Sequence, residues 1–166
     1  MCIFAALTKK HTRMKKLFTT LVITMFAFTG LMAQSALNNE GDNIVGTYKG
    51  LQNGDAFKAT IVKLDNGTYQ GQIIWMENPN DANGNKRLDT KNPDESLRNV
   101  PCDQIVLFSG LKYNAKKKRW DGTKIYDPQR GMRAKMTAEF KEDGKLEISG
   151  SVLLISESVL WEKIEK

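Results

Sequence analysis

Stretches of alternating apolar and polar residues, separated by turn residues, follow one another through most of the chain. The clearest runs over residues 132–140, where one face carries Met132, Ala134, Met136, Ala138 and Phe140. A second runs over residues 68–76 and places Tyr69, Gly71, Ile73 and Trp75 on one face. A period of two residues is what a strand with one buried face requires, so both segments are predicted to be strands.

The same reading predicts about eight strands, at residues 44–51, 56–64, 68–76, 104–113, 119–126, 132–140, 145–155 and 159–164. Most are joined by tight turns, such as Asp65-Asn66-Gly67, because Asn and Gly accept the positive φ of a hairpin turn. Eight strands joined in this way close into a barrel that leaves no sheet edge exposed. The predicted fold class is therefore all-β, a single antiparallel up-and-down eight-stranded β-barrel. The alternative is a two-sheet sandwich.

The domain is expected to span residues 44–166, with a short linker at residues 34–43 before it and a long polar loop at residues 77–101. A barrel of eight strands is either filled by its own side chains or holds one small ligand. The sequence leaves these two possibilities open.

The first 33 residues have the pattern of a secretory signal peptide. The positive Met14-Lys15-Lys16 precedes an apolar stretch at 17–28, and Ala33 supplies the small residue at the expected cleavage site. Met14 is the better start by pattern, and on that reading residues 1–13 are not translated. A membrane anchor is the alternative, but residues 17–33 are short for crossing a bilayer. We expect export to the periplasm or the outside, without stable membrane insertion after cleavage.

Charge and residue types exclude several functions. Five of the 25 lysines and arginines and none of the 19 acidic residues lie in residues 1–33, so the remaining chain carries a net charge of only +1. We therefore expect no nucleic-acid partner. The only histidine, His11, lies in the leader, which leaves no Ser-His-Asp or Cys-His catalysis and no ordinary zinc site. Cys102 alone cannot form an internal disulfide, and its role is left open.

Several motifs resemble the exported bacterial proteins of domain-of-unknown-function family 2147. They are Ile44-Val45-Gly46-Thr47-Tyr48, Asn92-Pro93-Asp94 with Leu97-Arg98, Ile125-Tyr126-Asp127-Pro128 after Trp120, Gly131, residues 146–150, and Trp161. The resemblance implies a calycin-like barrel, of the lipocalin and streptavidin type, in the cell envelope, and it implies no activity. Residues 151–158 depart from the family pattern, which is Gly-rich and polar there, so we expect the last hairpin to differ in shape.

The candidate ligand-binding residues are Trp75, Arg98, Trp120, Tyr126 and Asp127. Aromatic side chains could line a hollow barrel, and an arginine could bind a carboxylate or phosphate with two hydrogen bonds. For each there is a structural alternative: the tryptophans as core and Asp127 as a turn cap. Asp94 and Arg98 are four residues apart, and as an ion pair on one helical turn they would pin the long loop.

The long loop also contains a weak calcium pattern in Asp81, Asn83, Asn85 and Asp89. Oxygen side chains at alternate positions are how a loop wraps calcium, but the glycine and the final glutamate are not where such loops place them. A solvated structural loop is the preferred interpretation, and no cofactor is expected.

The leading hypothesis is a non-enzymatic envelope barrel that binds an apolar or amphipathic small molecule. The alternative is a structural or protein-interaction module that acts through the 77–101 loop. An enzyme is the third possibility, and it would depend on Asp94, Asp127, Tyr126 or a lysine. The oligomeric state and the ligand are not predicted.

Overall fold

The computed structural model of the protein describes residues 35–52 and 54–165. They form one closed barrel in which eight antiparallel strands pair in sequence order and the last pairs with the first. The strands are β1 (Gly46–Gln52), β2 (Asp55–Lys63), β3 (Tyr69–Met76), β4 (Val106–Asn114), β5 (Arg119–Asp127), β6 (Met132–Phe140), β7 (Leu146–Val152) and β8 (Ile155–Glu165). The predicted up-and-down barrel is confirmed.

The predicted signal peptide and its cleavage site lie outside the described residues. Within the part of the chain that the structure describes, no helix is long and apolar enough to cross a membrane.

The segment before β1 closes one end of the barrel, which we call the base. The sequence predicts a linker at residues 34–43, but Ala36–Asn39 and Gly41–Ile44 form two short 3-10 helices that pack against the barrel. Asn38 is buried there, and its Nδ2 donates to the Phe140 carbonyl at 2.8 Å while its Oδ1 accepts from the Phe140 N–H at 2.7 Å. One amide side chain thus satisfies both backbone groups of a strand residue.

Aromatic side chains of the barrel wall hold the same segment from the other side. The indole N–H of Trp120 donates to the Gly41 carbonyl at 2.9 Å, and the Tyr113 hydroxyl donates to the Asn38 carbonyl at 2.7 Å. The Tyr69 hydroxyl donates to Asp42 Oδ1 at 2.7 Å. Buried polar groups are costly without partners, so these bonds make the base a specific closure as well as an apolar one.

The apolar core fills the half of the barrel next to the base. Inward-facing residues that are buried there include Tyr48, Ile61, Leu111, Trp120, Ala138, Phe140 and Leu146. The alternation predicted for β6 is present, since Met136, Ala138 and Phe140 are buried while Met132, on the same face at the far end, is more exposed. The core is therefore dense at one end of the barrel and thins toward the other.

Two local predictions are wrong. Residues 145–155 were expected to form one strand, but β7 ends at Val152 and the chain turns at Leu153 and Leu154. An apolar run such as residues 152–155 is typical of a strand. The pairing of Ile148 with Val159 nevertheless places a turn in the middle of this run. The alternation in β3 also fails at its end, where Trp75 is 43% exposed, and the pairing with β2 shifts register between Lys58 and Ala59.

Replacing Asn38 by alanine is expected to destabilise the protein by about 3 kcal/mol. The change leaves a buried N–H and a buried carbonyl of Phe140 unpaired, and each such group costs about 1–3 kcal/mol. Urea unfolding followed by tryptophan fluorescence measures the difference. Asn39→Ala, at the exposed neighbouring position, is the control and should change little; equal losses in the two variants would contradict the assignment.

Candidate functional site

A cavity of about 450 Å³ opens at the end of the barrel opposite the base, which we call the mouth. Its walls come from the mouth-proximal halves of the strands, and most of the lining is apolar. The lining residues are Leu51, Gln52, Phe57, Ile73, Leu107, Ile125, Tyr126, Asp127, Pro128, Arg130, Met132, Ala134, Ile148, Gly150, Val152, Leu153, Ile155, Glu157, Val159 and Trp161. The barrel is therefore packed at the base and hollow toward the mouth.

Two aromatic rings form the floor of the cavity. Phe57 meets Trp161 edge to face, with ring centroids 5.5 Å apart and an angle of 77°. Trp161 packs in turn against Tyr48, at 6.1 Å, on the side of the base. Among the described residues no partner accepts from the buried indole N–H of Trp161. The floor thus separates the packed core from an apolar chamber.

Small residues at inward positions leave the space above this floor. Ala134 on β6 and Gly150 on β7 both line the cavity, and a Cβ added to Gly150 would lie 3.2 Å from the Cβ of Ala134. Nearer the base the corresponding inward positions hold Met136 and Ile148, which are buried. The small residues Ala134 and Gly150 therefore leave space that Met136 and Ile148 fill nearer the base.

Charged groups stand only at the rim. The Arg130 guanidinium, in the β5–β6 turn, makes two hydrogen bonds to the Glu157 carboxylate on β8, at 2.6 and 3.2 Å. The Asp127 carboxylate lies 3.5 Å from the same guanidinium. Arg130 lowers the pKa of Glu157, and Glu157 raises the pKa of Arg130. Since both side chains are largely exposed, the pair orders the rim more than it stabilises the fold.

The loop between β3 and β4 lies against the outer wall of β5. Tyr126 pairs with Arg133 across the strands, on the face opposite Ile125 and Ala134, and its hydroxyl donates to Asp89 Oδ1 at 2.6 Å. The other oxygen of Asp89 accepts from Asn92 Nδ2, also at 2.6 Å, and all three side chains are buried. The polar loop therefore has a polar core of its own.

The same loop approaches the β5–β6 turn closely. The Lys91 ammonium donates to the Gln129 carbonyl at 2.7 Å, and a Cβ at Gly131 would lie 2.3 Å from the Lys91 carbonyl oxygen. Gly131 has a φ of 65°, so a side chain there would be strained as well as crowded. The loop is in this way held beside the mouth.

The structure separates the predicted ligand-binding residues. Asp127 reaches the rim, where its Oδ1 also caps the turn by accepting from the N–H groups of Gln129 and Arg130. Tyr126 contributes to the lining, but its hydroxyl serves the outer loop. Trp120 is fully buried at the base, and Trp75 lies outside the cavity lining, with the Lys58 ammonium 5.5 Å from its ring centroid.

Arg98 and Asp94 act within the loop, but not as the predicted pair. Arg98 donates from Nε to the Asn92 carbonyl at 2.9 Å and pairs with Glu95 at 3.0 Å. Asp94 caps a 3-10 turn by accepting from the N–H and hydroxyl of Ser96, which lowers its pKa. Both partners of Arg98 lie within the loop, so these contacts order the loop itself. Arg98 pairs with Glu95 rather than Asp94 because the segment is a 3-10 turn, in which residues three apart are neighbours.

The two carboxylates of the calcium pattern both have other partners. Asp81 Oδ1 accepts from the backbone N–H groups of Asn83 and Asn85, whereas Asp89 is buried beneath the loop against Tyr126. In residues 35–52 and 54–165, no group of three or more His, Cys, Asp or Glu side chains could hold a metal ion. Cys102 is a half-buried free thiol whose pKa is raised mainly by burial.

Sequence reasoning missed the residues that define the cavity. Phe57 and Trp161 on its floor, and Arg130 and Glu157 at its rim, were not candidates. The available signal was the pair of small residues, Ala134 and Gly150, at inward positions of β6 and β7. Only the strand register shows that they are neighbours across the cavity. Arg130 and Glu157 are 27 residues apart, and nothing local in the sequence indicates their contact.

Comparison with known proteins agrees with this architecture. The model of a family described as uncharacterized protein conserved in bacteria (DUF2147) matches residues 46–163. The chain belongs to this family. Among curated proteins there is no match.

One similar solved structure is that of HP1028 from the human pathogen Helicobacter pylori, described as a member of the lipocalin family. The two chains are 20% identical, the match covers 73% of this chain and 82% of the other, and the TM-score is 0.56. At this identity the comparison establishes a lipocalin-like fold and nothing about the ligand. The predicted calycin-like barrel is confirmed.

The protein is expected to lose stability above about pH 10, the pKa of tyrosine in an unfolded chain. Burial raises the pKa of Tyr48, Tyr69 and Tyr126, so the folded protein keeps protons that the unfolded chain releases. Their contribution is complete below that pH and falls as the pH rises further. Midpoints of urea unfolding, measured at a series of pH values on both sides of about pH 10, check this loss of stability. Tyr126→Phe should show a shallower decline, and an identical decline would contradict the assignment.

Gly131→Ala is expected to destabilise the protein by more than Gly144→Ala. Both glycines have positive φ, so both variants carry the backbone strain of about 1–2 kcal/mol. Only at Gly131 does the new methyl group meet a backbone carbonyl, since a Cβ at Gly144 has no neighbour within 4 Å. Urea unfolding should show that Gly131→Ala lowers the free energy of unfolding by at least about 1 kcal/mol more than Gly144→Ala does. Equal losses would show that the loop moves away freely.

Proposed function

We propose that the protein is an exported, non-enzymatic carrier that binds one apolar or amphipathic small molecule inside the barrel. The observation that carries the proposal is the cavity of about 450 Å³, which has an aromatic floor and opens at the mouth. Ligand sites commonly have volumes of about 300–1,000 Å³ and an apolar lining with few polar groups. A lipocalin-like barrel of eight strands is a suitable frame for one such ligand.

The distribution of polarity in the cavity favours an amphipathic molecule. An apolar part would lie on Phe57 and Trp161, and a polar end would remain at the rim beside Arg130 and Glu157. Burial of the ligand's apolar part against the apolar walls supplies the affinity. Water reaches the rim, so the polar end of the ligand stays hydrated there.

Three of the residues on which an enzyme would depend already make structural contacts, which supports binding rather than catalysis. Asp94 caps a turn, Asp127 caps another, and the Tyr126 hydroxyl is committed to Asp89. Burial and Asp89 both raise the pKa of Tyr126, which opposes its use as a base near neutral pH.

Native mass spectrometry of the protein purified from the envelope of the producing cell tests the proposal directly. We expect a mass excess that disappears on denaturation, and the denatured mass gives the N-terminus of the exported chain. A denatured mass that begins at Gln34 supports cleavage after Ala33. A chain recovered only in the cytoplasm would contradict export.

A cavity-filling variant provides the second test. Ala134→Phe places a ring in the chamber and is expected to weaken binding of a dansyl-labelled fatty acid by at least roughly tenfold, because the ring occupies space where the ligand would bury its apolar part. The control is Ala115→Phe, on the exposed turn between β4 and β5 at the base end. Equal affinities of the two variants for the probe, with both folded, would place binding elsewhere.

A further inference from the structure

The hairpin between β7 and β8 ends in four consecutive apolar residues, Val152 to Ile155, which we call the tip. Leu153 is 98% exposed, Leu154 is 102% exposed and Ile155 is 71% exposed. Single exposed apolar residues are ordinary, but a contiguous group that projects fully into solvent is not. The tip stands at the mouth, since Val152, Leu153 and Ile155 also line the cavity.

The backbone conformation at the tip is also unfavourable for the residue that occupies it. Leu153 is the first of the two turn residues and has a φ of 55°. Hairpins place Gly, Asn or Asp at such positions, because a branched side chain in the left-handed region is strained. Leucine here costs stability through the backbone, and at 98% exposure it gains almost no burial in return. A residue that violates local preferences without compensation in the fold is typical of a functional position.

We propose that the tip docks on the surface of a lipid bilayer and places the mouth of the cavity against the lipid. The shape favours this occupant: the tip is a narrow projection, and fluid hydrocarbon closes around a projection without needing a matching pocket. Leu51, exposed at the same end on the strand next to β8, widens the apolar surface around the mouth.

The charges around the mouth fit a lipid surface. Arg130 makes two hydrogen bonds to Glu157 and lies 3.5 Å from Asp127, so contact with the lipid leaves none of the three rim groups as an isolated charge. Residues 150–156 carry no charge. Docking therefore depends on apolar contact and is expected to change little with salt, unlike a basic patch that binds anionic lipid. This inference does not require that the cavity hold a ligand.

Flotation with phosphatidylcholine vesicles tests docking with the purified protein. Wild type should float with the vesicles, and the double variant Leu153→Asn with Leu154→Ser should lose binding by roughly tenfold per leucine. Asn favours the left-handed region, so the double variant should be at least as stable as wild type in urea. Its intact mass must match wild type apart from the substitutions, so that both proteins begin at the same residue.

The matched control replaces two exposed apolar residues on the barrel wall, Ile74→Thr with Leu160→Thr. It should float like wild type. Equal flotation of wild type and the tip variant, or equal loss in the tip and wall variants, would overturn the proposal. So would a wild-type dimer that the tip variant dissociates, since a second copy would then cover the tip.

A spectroscopic variant keeps the proposal testable if the double variant fails to fold. Leu154→Trp adds an indole at the fully exposed position, and its added emission should shift to shorter wavelength when vesicles are present. An unchanged spectrum with vesicles, under conditions where the protein is folded, would overturn docking. Because flotation and dansyl fatty-acid binding are measured separately, failure of one does not count as failure of the other.

Discussion

The buried amide of Asn38 is the contact on which the rest of the barrel depends. An eight-stranded barrel has two ends, and apolar side chains near an end are shielded from water only if something covers it. Asn38 ties the segment before β1 to the backbone of Phe140 on β6, far away in sequence. Trp120 and Tyr113 then bind the same segment through its carbonyls. With the base closed, apolar side chains can pack on it, and the chamber above them gains a floor.

The fold could be predicted from the sequence because strand alternation and turn residues are local signals. The β6 alternation from Met132 to Phe140 is an example, and its bounds agree with the structure. The base closure could not be predicted in this way, since Asn38 in a polar N-terminal segment has no local feature that distinguishes it from Asn39. The same limit explains the last hairpin, where the apolar tip resembles strand and only the pairing of β7 with β8 reveals a turn.

The candidate site was predictable in kind but not in its residues. Of the two tryptophans predicted to line a cavity, Trp120 is buried in the core next to the base and Trp75 lies outside the lining, while Trp161 forms the floor. Which aromatic residue faces the chamber depends on shifts in strand register, such as the one between Lys58 and Ala59. The alternation of apolar and polar residues in the sequence does not reveal such shifts. The role of Asp89 depends on a contact with Tyr126, which is 37 positions away in the chain.

The loop between β3 and β4 supports one side of the mouth and not the other. On the β5 side, Tyr126, Asp89 and Lys91 tie the wall to a second layer with its own buried hydrogen bonds. On the β7–β8 side, the wall is a single layer ending in a two-residue turn. Segments with fewer buried contacts open at lower free energy, so amide exchange should be faster along the mouth-proximal ends of β7 and β8 than along β5. Whatever enters the barrel would then pass beside its thinner wall.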